Sequence, residues 1–160
     1  MRAVAVAHPN VALVKYWGKR ARAGNLPATG SLSLVLGGLA TETSVHFDPA
    51  LSRDRVLLDG REDAETTARV TACLDLLRLE AGVTAWAVVE SRNDFPTGAG
   101  LASSASGFAA LVTAGAGALG LQLAPQRLAE IARLGSGSAP RSLLGGVVLL
   151  AVGGGLLASA

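Results

Sequence analysis

Three stretches of this 160-residue chain combine residue types and spacings that suit the handling of anions. The first is Lys15-Tyr16-Trp17-Gly18-Lys19, which holds both lysines of the chain against twelve arginines. An ammonium is a compact point charge whose pKa shifts on burial, whereas a guanidinium stays charged. A chain that otherwise uses Arg therefore has a chemical reason for Lys here. If the segment is helical, ammoniums four residues apart share one face and can hold a diphosphate or a carboxylate. Tyr16 can donate a hydrogen bond to such an anion, or it can pack with Trp17.

The second stretch is Pro96-Thr97-Gly98-Ala99-Gly100-Leu101-Ala102-Ser103-Ser104-Ala105-Ser106-Gly107. A glycine-rich turn runs directly into a helix. Glycines admit close approach of a ligand to the backbone, and a helix start presents free N–H groups and a positive dipole end. Ser103 and Ser104 add hydroxyls for phosphate oxygens or Mg²⁺. No Gly-Lys-Ser/Thr closes the loop, so it is not a Walker A motif. The same composition also suits an N-capped, close-packed helix. The third stretch is Ser136-Gly137-Ser138-Ala139-Pro140-Arg141-Ser142, in which Arg141 can grip a carboxylate through two parallel bonds; a solvated loop would read alike.

The elements that must position these residues follow from periodicity. Strands are expected over Val4–His8, Ser31–Leu36, Thr41–Phe47, Arg55–Leu58 and Thr84–Ser91. Asn10 can cap a short helical turn through Trp17. Helices are expected over Glu62–Ala81, with Val70, Cys73, Leu74 and Leu77 inward, over Leu101–Leu119, and from Pro125 to Leu134. Trp86 is assigned to the core, and His46 to the solvated side of its strand. Strands, a helix, a strand and further helices make an α+β pattern.

Composition narrows the classes. Half the residues are apolar and 16% are charged, which excludes a disordered chain. A net charge of +2 with 4% aromatic residues does not suit a nucleic-acid partner. The single cysteine, Cys73, excludes an internal disulfide and reads as a buried thiol. The amino terminus lacks a signal-peptide run, so a cytoplasmic location is expected. Ser142 to Ala160 carries no charge but includes five glycines, and reads as a core strand with a tail, not a membrane span. No Asp or Glu follows Glu130.

Together the motifs resemble the mevalonate diphosphate decarboxylases, a branch of the GHMP kinase superfamily. The resemblance rests on Asn10 to Arg20, Asn25-Leu26-Pro27, Ser31-Leu32-Ser33, Arg69 with Cys73-Leu74, Asp94 to Leu111, and Gly135 to Leu143, in that order. The Lys-Tyr-Trp-Gly-Lys and Ser-Gly-Ser-Ala-x-Arg-Ser motifs belong to this branch; the glycine-rich loop alone would indicate only the superfamily. The resemblance implies a GHMP-kinase-type amino-terminal domain over residues 1–148, a mixed sheet with helices mainly on one face, followed by an unmatched apolar tail over 149–160.

The activity it implies is ATP-dependent decarboxylation of mevalonate 5-diphosphate to isopentenyl diphosphate in isoprenoid biosynthesis. ATP would lie on Pro96, Gly98, Ala99, Gly100, Leu101, Ala102, Ser103 and Ser104, with Ser104 also a Mg²⁺ ligand. Tyr16, Lys19 and Arg69 would hold the substrate diphosphate, flanked by Trp17 and Gly18. Arg141 would take the carboxylate, within the loop of Ser136, Gly137, Ser138, Ala139 and Pro140. Lys15 would stabilise charge near the reacting hydroxyl, and Asn10 would place the substrate.

Pro140 stands where the family usually has Cys. The family's carboxyl-terminal half, with its catalytic Asp, has no counterpart here, so a truncated chain of impaired or absent activity is expected. A phosphomevalonate decarboxylase or a mevalonate 3-kinase is the alternative enzyme. A non-catalytic half-enzyme is a further reading, in which a homodimer or a complementing chain covers an apolar surface.

Overall fold

The structure, a computed structural model, describes residues 1–15, 28–96 and 103–151 and the backbone of 156–159. Alternating burial organises the first sheet. In β4 (Thr41–Asp48) the residues Thr41, Thr43, Val45 and Phe47 are buried, and the residues between them face outward. β1 (Arg2–Ala7) and β7 (Trp86–Asn93) flank β4 antiparallel, while β5 (Arg55–Leu58) runs parallel to β7 and carries β6 (Arg61–Glu62) at the edge. The resulting five-stranded sheet is mixed, as expected.

Three helices cover its inner face. α1 (Ala64–Ala81) is capped by Asp63, whose carboxylate accepts from Thr66 N, and it ends at Gly82 in the left-handed region (φ 66°). Its stripe of Val70, Cys73, Leu74 and Leu77 is buried as expected. α2 (Ser103–Ala118) is enclosed on several sides, and α3 (Pro125–Gly135) opens on a proline at its first turn. Val45, Phe47, Val56 and Val89 of the sheet meet Leu74, Leu77, Leu111 and Ile131 of the helices in one core. Cys73 lies in it and donates to the Ile131 carbonyl at 3.3 Å, and burial pushes its thiol up to about 12.

A second, four-stranded sheet takes β2 (Asn10–Val14), β3 (Ser31–Val35), β8 (Val147–Leu150) and β9 (Leu156–Ser159) in that order, all antiparallel. Ser31, Ser33, Val148 and Leu150 point inward from it. Among the described residues no helix is long and apolar enough to cross a membrane.

Two expectations are corrected. The helical turn expected from Asn10 is the strand β2, whose backbone pairs with β3 with a register shift between Ala12 and Val14. The sheet ladder outweighs the capping preference of Asn10, whose side chain bonds elsewhere. Trp86 is not core: it is 36% exposed, because Ala87 and Val89 take the inward positions of β7 and place Trp86 on the other side.

Trp86 instead covers a buried cation. The Arg78 guanidinium lies 5.2 Å from the Trp86 ring and 5.6 Å from that of Phe47. It donates to the Ala85 carbonyl at 2.8 Å, to Asp75 at 2.7 Å and to Asp54. Asp54 also accepts from Ala87 N at 2.8 Å, so the pair ties α1 to the start of β7. Removing one member of a buried pair strands the other charge. Arg78→Ala should therefore lower unfolding free energy by about 3–5 kcal/mol in urea denaturation, while Asp75→Ala, which removes an exposed partner, should cost less than about 1 kcal/mol. Cys73 should react with a thiol reagent at pH 8 only as fast as the chain opens, since the buried thiol is neutral there.

Candidate functional site

A cavity of about 270 Å³ opens where α2 begins. Its walls include Thr41 and Asn93 from the sheet, Thr66 and Arg69 from α1, and Ser103 and Phe108 from α2; Ser104 also lines it. The polar wall comes from inward positions of β4 and β7 that apolar residues would otherwise occupy. Thr41 donates to Asn93 Oδ1 at 2.6 Å and pairs with the Ser106 hydroxyl at 2.6 Å. Thr43 and Ser91 pair their hydroxyls at 2.8 Å. These bonds keep buried hydroxyls satisfied beside an apolar core.

Arg69, expected from the sequence, lies half-buried on this wall. Its guanidinium sits 5.5 Å from the Phe108 ring and donates to the Gly135 carbonyl and to Thr66 Oγ1, each at 3.4 Å. The contact with Gly135 joins the cavity to the Ser-Gly-Ser loop that follows α3. Ser136 pairs with Ser104 at 3.4 Å and with Ser138 at 3.2 Å, so hydroxyls run from the first turn of α2 into that loop.

The loop continues as a 3₁₀ turn over Ala139–Ser142, all four residues of which are buried. A solvated polar loop is thereby excluded. Arg141 is 5% exposed and donates to Ser31 Oγ at 2.9 Å. Asn10 donates to Ser142 Oγ at 2.7 Å and to the Ser138 carbonyl at 3.3 Å, and its buried Oδ1 has no hydrogen-bond partner. Asn10 and Ser31 come from adjacent strands of the second sheet, which therefore holds the loop from beneath.

Of the expected site residues, Arg69, Ser103, Ser104, Ser136 and Ser138 surround the cavity and its extension. Asn10 and Arg141 hold the loop from its buried side, with Ala139 and Pro140 packed there and Gly137 half-buried. Lys15 is exposed directly after β2, and Pro96 is exposed before the glycine-rich segment. Tyr16, Trp17, Gly18 and Lys19, with Gly98, Ala99, Gly100, Leu101 and Ala102, lie outside the described residues.

Sequence reasoning missed Thr41, Asn93, Thr66 and Phe108. A signal was available for Thr41 and Thr43: two hydroxyls on the face of β4 that continues as Val45 and Phe47.

Hydroxyls and guanidiniums from separate elements converge here. The first-turn hydroxyls of α2 and the half-buried Arg69 face one cavity, and a second guanidinium lies in the loop that Ser104 touches. Among the described residues no group of three or more His, Cys, Asp or Glu is placed to hold a metal ion.

Gly135 sits where this arrangement is tightest. A Cβ there would lie 2.0 Å from the Phe108 ring, and that ring also carries Arg69. Gly135→Ala should displace Phe108 and destabilise the chain by roughly 1–3 kcal/mol, the usual cost of overpacking, as read from thermal or urea unfolding.

The family model for the diphosphomevalonate decarboxylase-like N-terminal domain matches residues 7–158. The diphosphomevalonate decarboxylase of Eremothecium gossypii is 44% identical over 158 residues, covering 90% of this chain and 40% of that protein. The structure of the mevalonate diphosphate decarboxylase from Enterococcus faecalis superposes with a TM-score of 0.91 at 44% identity, over 100% of this chain and 52% of that one. A structure of MDDEF in complex with MVAPP, AMPPCP and magnesium gives a TM-score of 0.89 at 44% identity, with 51% of that chain covered. The chain thus spans about half the length of the relatives it matches. The match bears out the resemblance read from the sequence motifs, and the chain belongs to the diphosphomevalonate decarboxylase-like N-terminal domain family.

Proposed function

We propose that this chain supplies the nucleotide- and substrate-binding part of an ATP-dependent diphosphomevalonate decarboxylase. The observation that carries this reading is the contact between two anion-suited sites: Ser104, on the first turn of α2, pairs with Ser136 of the Ser-Gly-Ser loop at 3.4 Å. A phosphoryl donor and its acceptor must lie side by side, because phosphoryl transfer is mostly positioning and charge stabilisation.

In this reading the cavity takes the nucleoside end of ATP. The glycine-rich segment from Pro96 and the hydroxyls of Ser103 and Ser104 hold the phosphates, with Ser104 a ligand of Mg²⁺. When bound, ATP with Mg²⁺ supplies the phosphoryl group for the tertiary 3-hydroxyl of mevalonate 5-diphosphate, which then loses phosphate and CO₂. Arg141 orients the substrate carboxylate, and its burial favours a charge-assisted pair over water. Asn10 has a buried carbonyl oxygen free to accept from the substrate. Tyr16, Lys19 and Arg69 hold the diphosphate, beside Trp17 and Gly18, and Lys15 stabilises charge at the reacting hydroxyl.

Calorimetric titration of the full chain tests the reading. Mg·ATP should bind, and Ser104→Ala should weaken it. Arg141→Gln should weaken mevalonate 5-diphosphate about 10- to 100-fold, matching about 1.5–3 kcal/mol for a charged hydrogen bond, with ATP affinity unchanged. A folded chain that takes up neither ligand would refute the assignment, and a preference for the monophosphate would move it to a phosphomevalonate enzyme.

A further inference from the structure

The last rung between β4 and β7 is built differently from the rest of the ladder. Phe47 of β4 and Met1 exchange both backbone hydrogen bonds, at 2.8 and 3.0 Å. In an antiparallel pair such exchanges recur at every second residue, so the odd-numbered residues of β4 bond to β1 and the even-numbered ones to β7. The register that pairs Glu42 with Arg92 sets Ala40 opposite Asp94 as the next bonded pair. Asp94 N donates to the Ala40 carbonyl at 3.0 Å, as the ladder requires. The return bond goes to a side chain: Ala40 N donates to Asp94 Oδ1 at 2.7 Å. The carboxylate takes the place in the rung that the Asp94 carbonyl would fill, and the strand ends at Asn93.

Ala40 is a firm partner for this bond. It ends the connection that runs from β3 to β4, between the two sheets, and the neighbouring crossing from β1 to β2 ties that connection down. Leu36 N donates to the Pro9 carbonyl at 2.8 Å, and His8 Nδ1 donates to the Leu39 carbonyl at 2.7 Å. Beyond Asp94, Phe95 is buried and Pro96 is exposed. A proline holds the residue before it to extended backbone, so the heading of the chain at Asp94 carries forward through Phe95. We infer that Asp94 is a positioning residue: by accepting from Ala40 N it ends the β4–β7 ladder and sets the direction in which the chain enters the glycine-rich segment. Its consequence for nucleotide affinity rests on the proposed function, which puts the phosphates of ATP on that segment. The role needs an acceptor and not a charge, because the partner is a neutral backbone N–H. It is separable from stability, because Asp94 lies at the surface, where water can satisfy Ala40 N once the carboxylate is gone.

Asp94→Ala and Asp94→Asn in the full chain test it. One arm is calorimetric titration with Mg·ATP and, separately, with mevalonate 5-diphosphate. The other is hydrogen exchange over residues 94–104 without nucleotide, read by mass spectrometry. Thermal unfolding monitors the fold. Asp94→Ala should weaken Mg·ATP by about tenfold or more, the scale of a displaced binding group, and should quicken exchange over 94–104. Affinity for mevalonate 5-diphosphate, exchange in α1 and the Tm should hold. Asp94→Asn, whose amide oxygen still accepts from Ala40 N, should match the wild-type chain in both arms. Unchanged exchange in Asp94→Ala would overturn the inference, and so would Mg·ATP affinity equal to that of a wild-type chain that binds it. Equal loss of both ligands would also overturn it, as a general loosening of the chain. Asp94→Asn as weak as Asp94→Ala would do the same, by tying the carboxylate to the ligand and not to Ala40. If the wild-type chain takes up no Mg·ATP, the proposed function fails, while the exchange arm still decides the role of Asp94.

Discussion

The close packing of α2 is the constraint on which the rest of the structure depends. This helix lies against β1 and β4 on one side and against α1 and α3 on another. Only small side chains allow so many neighbours. Ala105, Ala109, Ala110, Ala114, Gly115 and Ala116 are all buried. A Cβ on Gly115 would come within 2.7 Å of Leu77, and one on Gly117 within 3.5 Å of Ala3. Dispersion between closely approaching backbones, summed over many atoms, replaces what large side chains supply elsewhere. A helix enclosed in this way holds its first turn, with Ser103 and Ser104, at a fixed place on the cavity wall.

That fixed turn explains why the polar residues of the site come from so many elements. Thr41 and Asn93 reach it from the sheet, Arg69 from α1, and Ser136 from beyond α3. Each brings hydrogen bonds with it, as a polar group beside a core must. The second sheet works on the same loop from the other side, through Asn10 and Ser31. The loop that holds Arg141 is therefore clamped between α2 and a sheet, which restricts its guanidinium to few orientations.

The buried Arg78–Asp54 pair shows a different solution, away from the cavity. Its charges are compensated by each other, by Asp75, by the Ala85 carbonyl and Ala87 N–H, and by two aromatic rings. Trp86 was legible in the sequence as a large apolar residue, and hydropathy alone sends such a residue to the core. Its place was decided by strand parity and by the Arg78 cation, eight residues back, which no local pattern pairs with it. The helical turn expected at Asn10 gives way to a strand for a related reason. Its capping preference is local, whereas the β2–β3 ladder involves residues about twenty positions away.

The sequence by itself determined the class of fold, the inward stripe of α1, the burial of Cys73 and, through its motifs, the family. These are properties of spacing and residue type within a few turns of chain. The tertiary structure alone decided that Ser104 and Ser136, thirty-two residues apart, exchange a hydrogen bond, and that Arg141 is buried against Ser31, one hundred and ten residues away. Distances across a core depend on how sheets and helices stack, and that depends on the volumes of small residues in α2 more than on any motif.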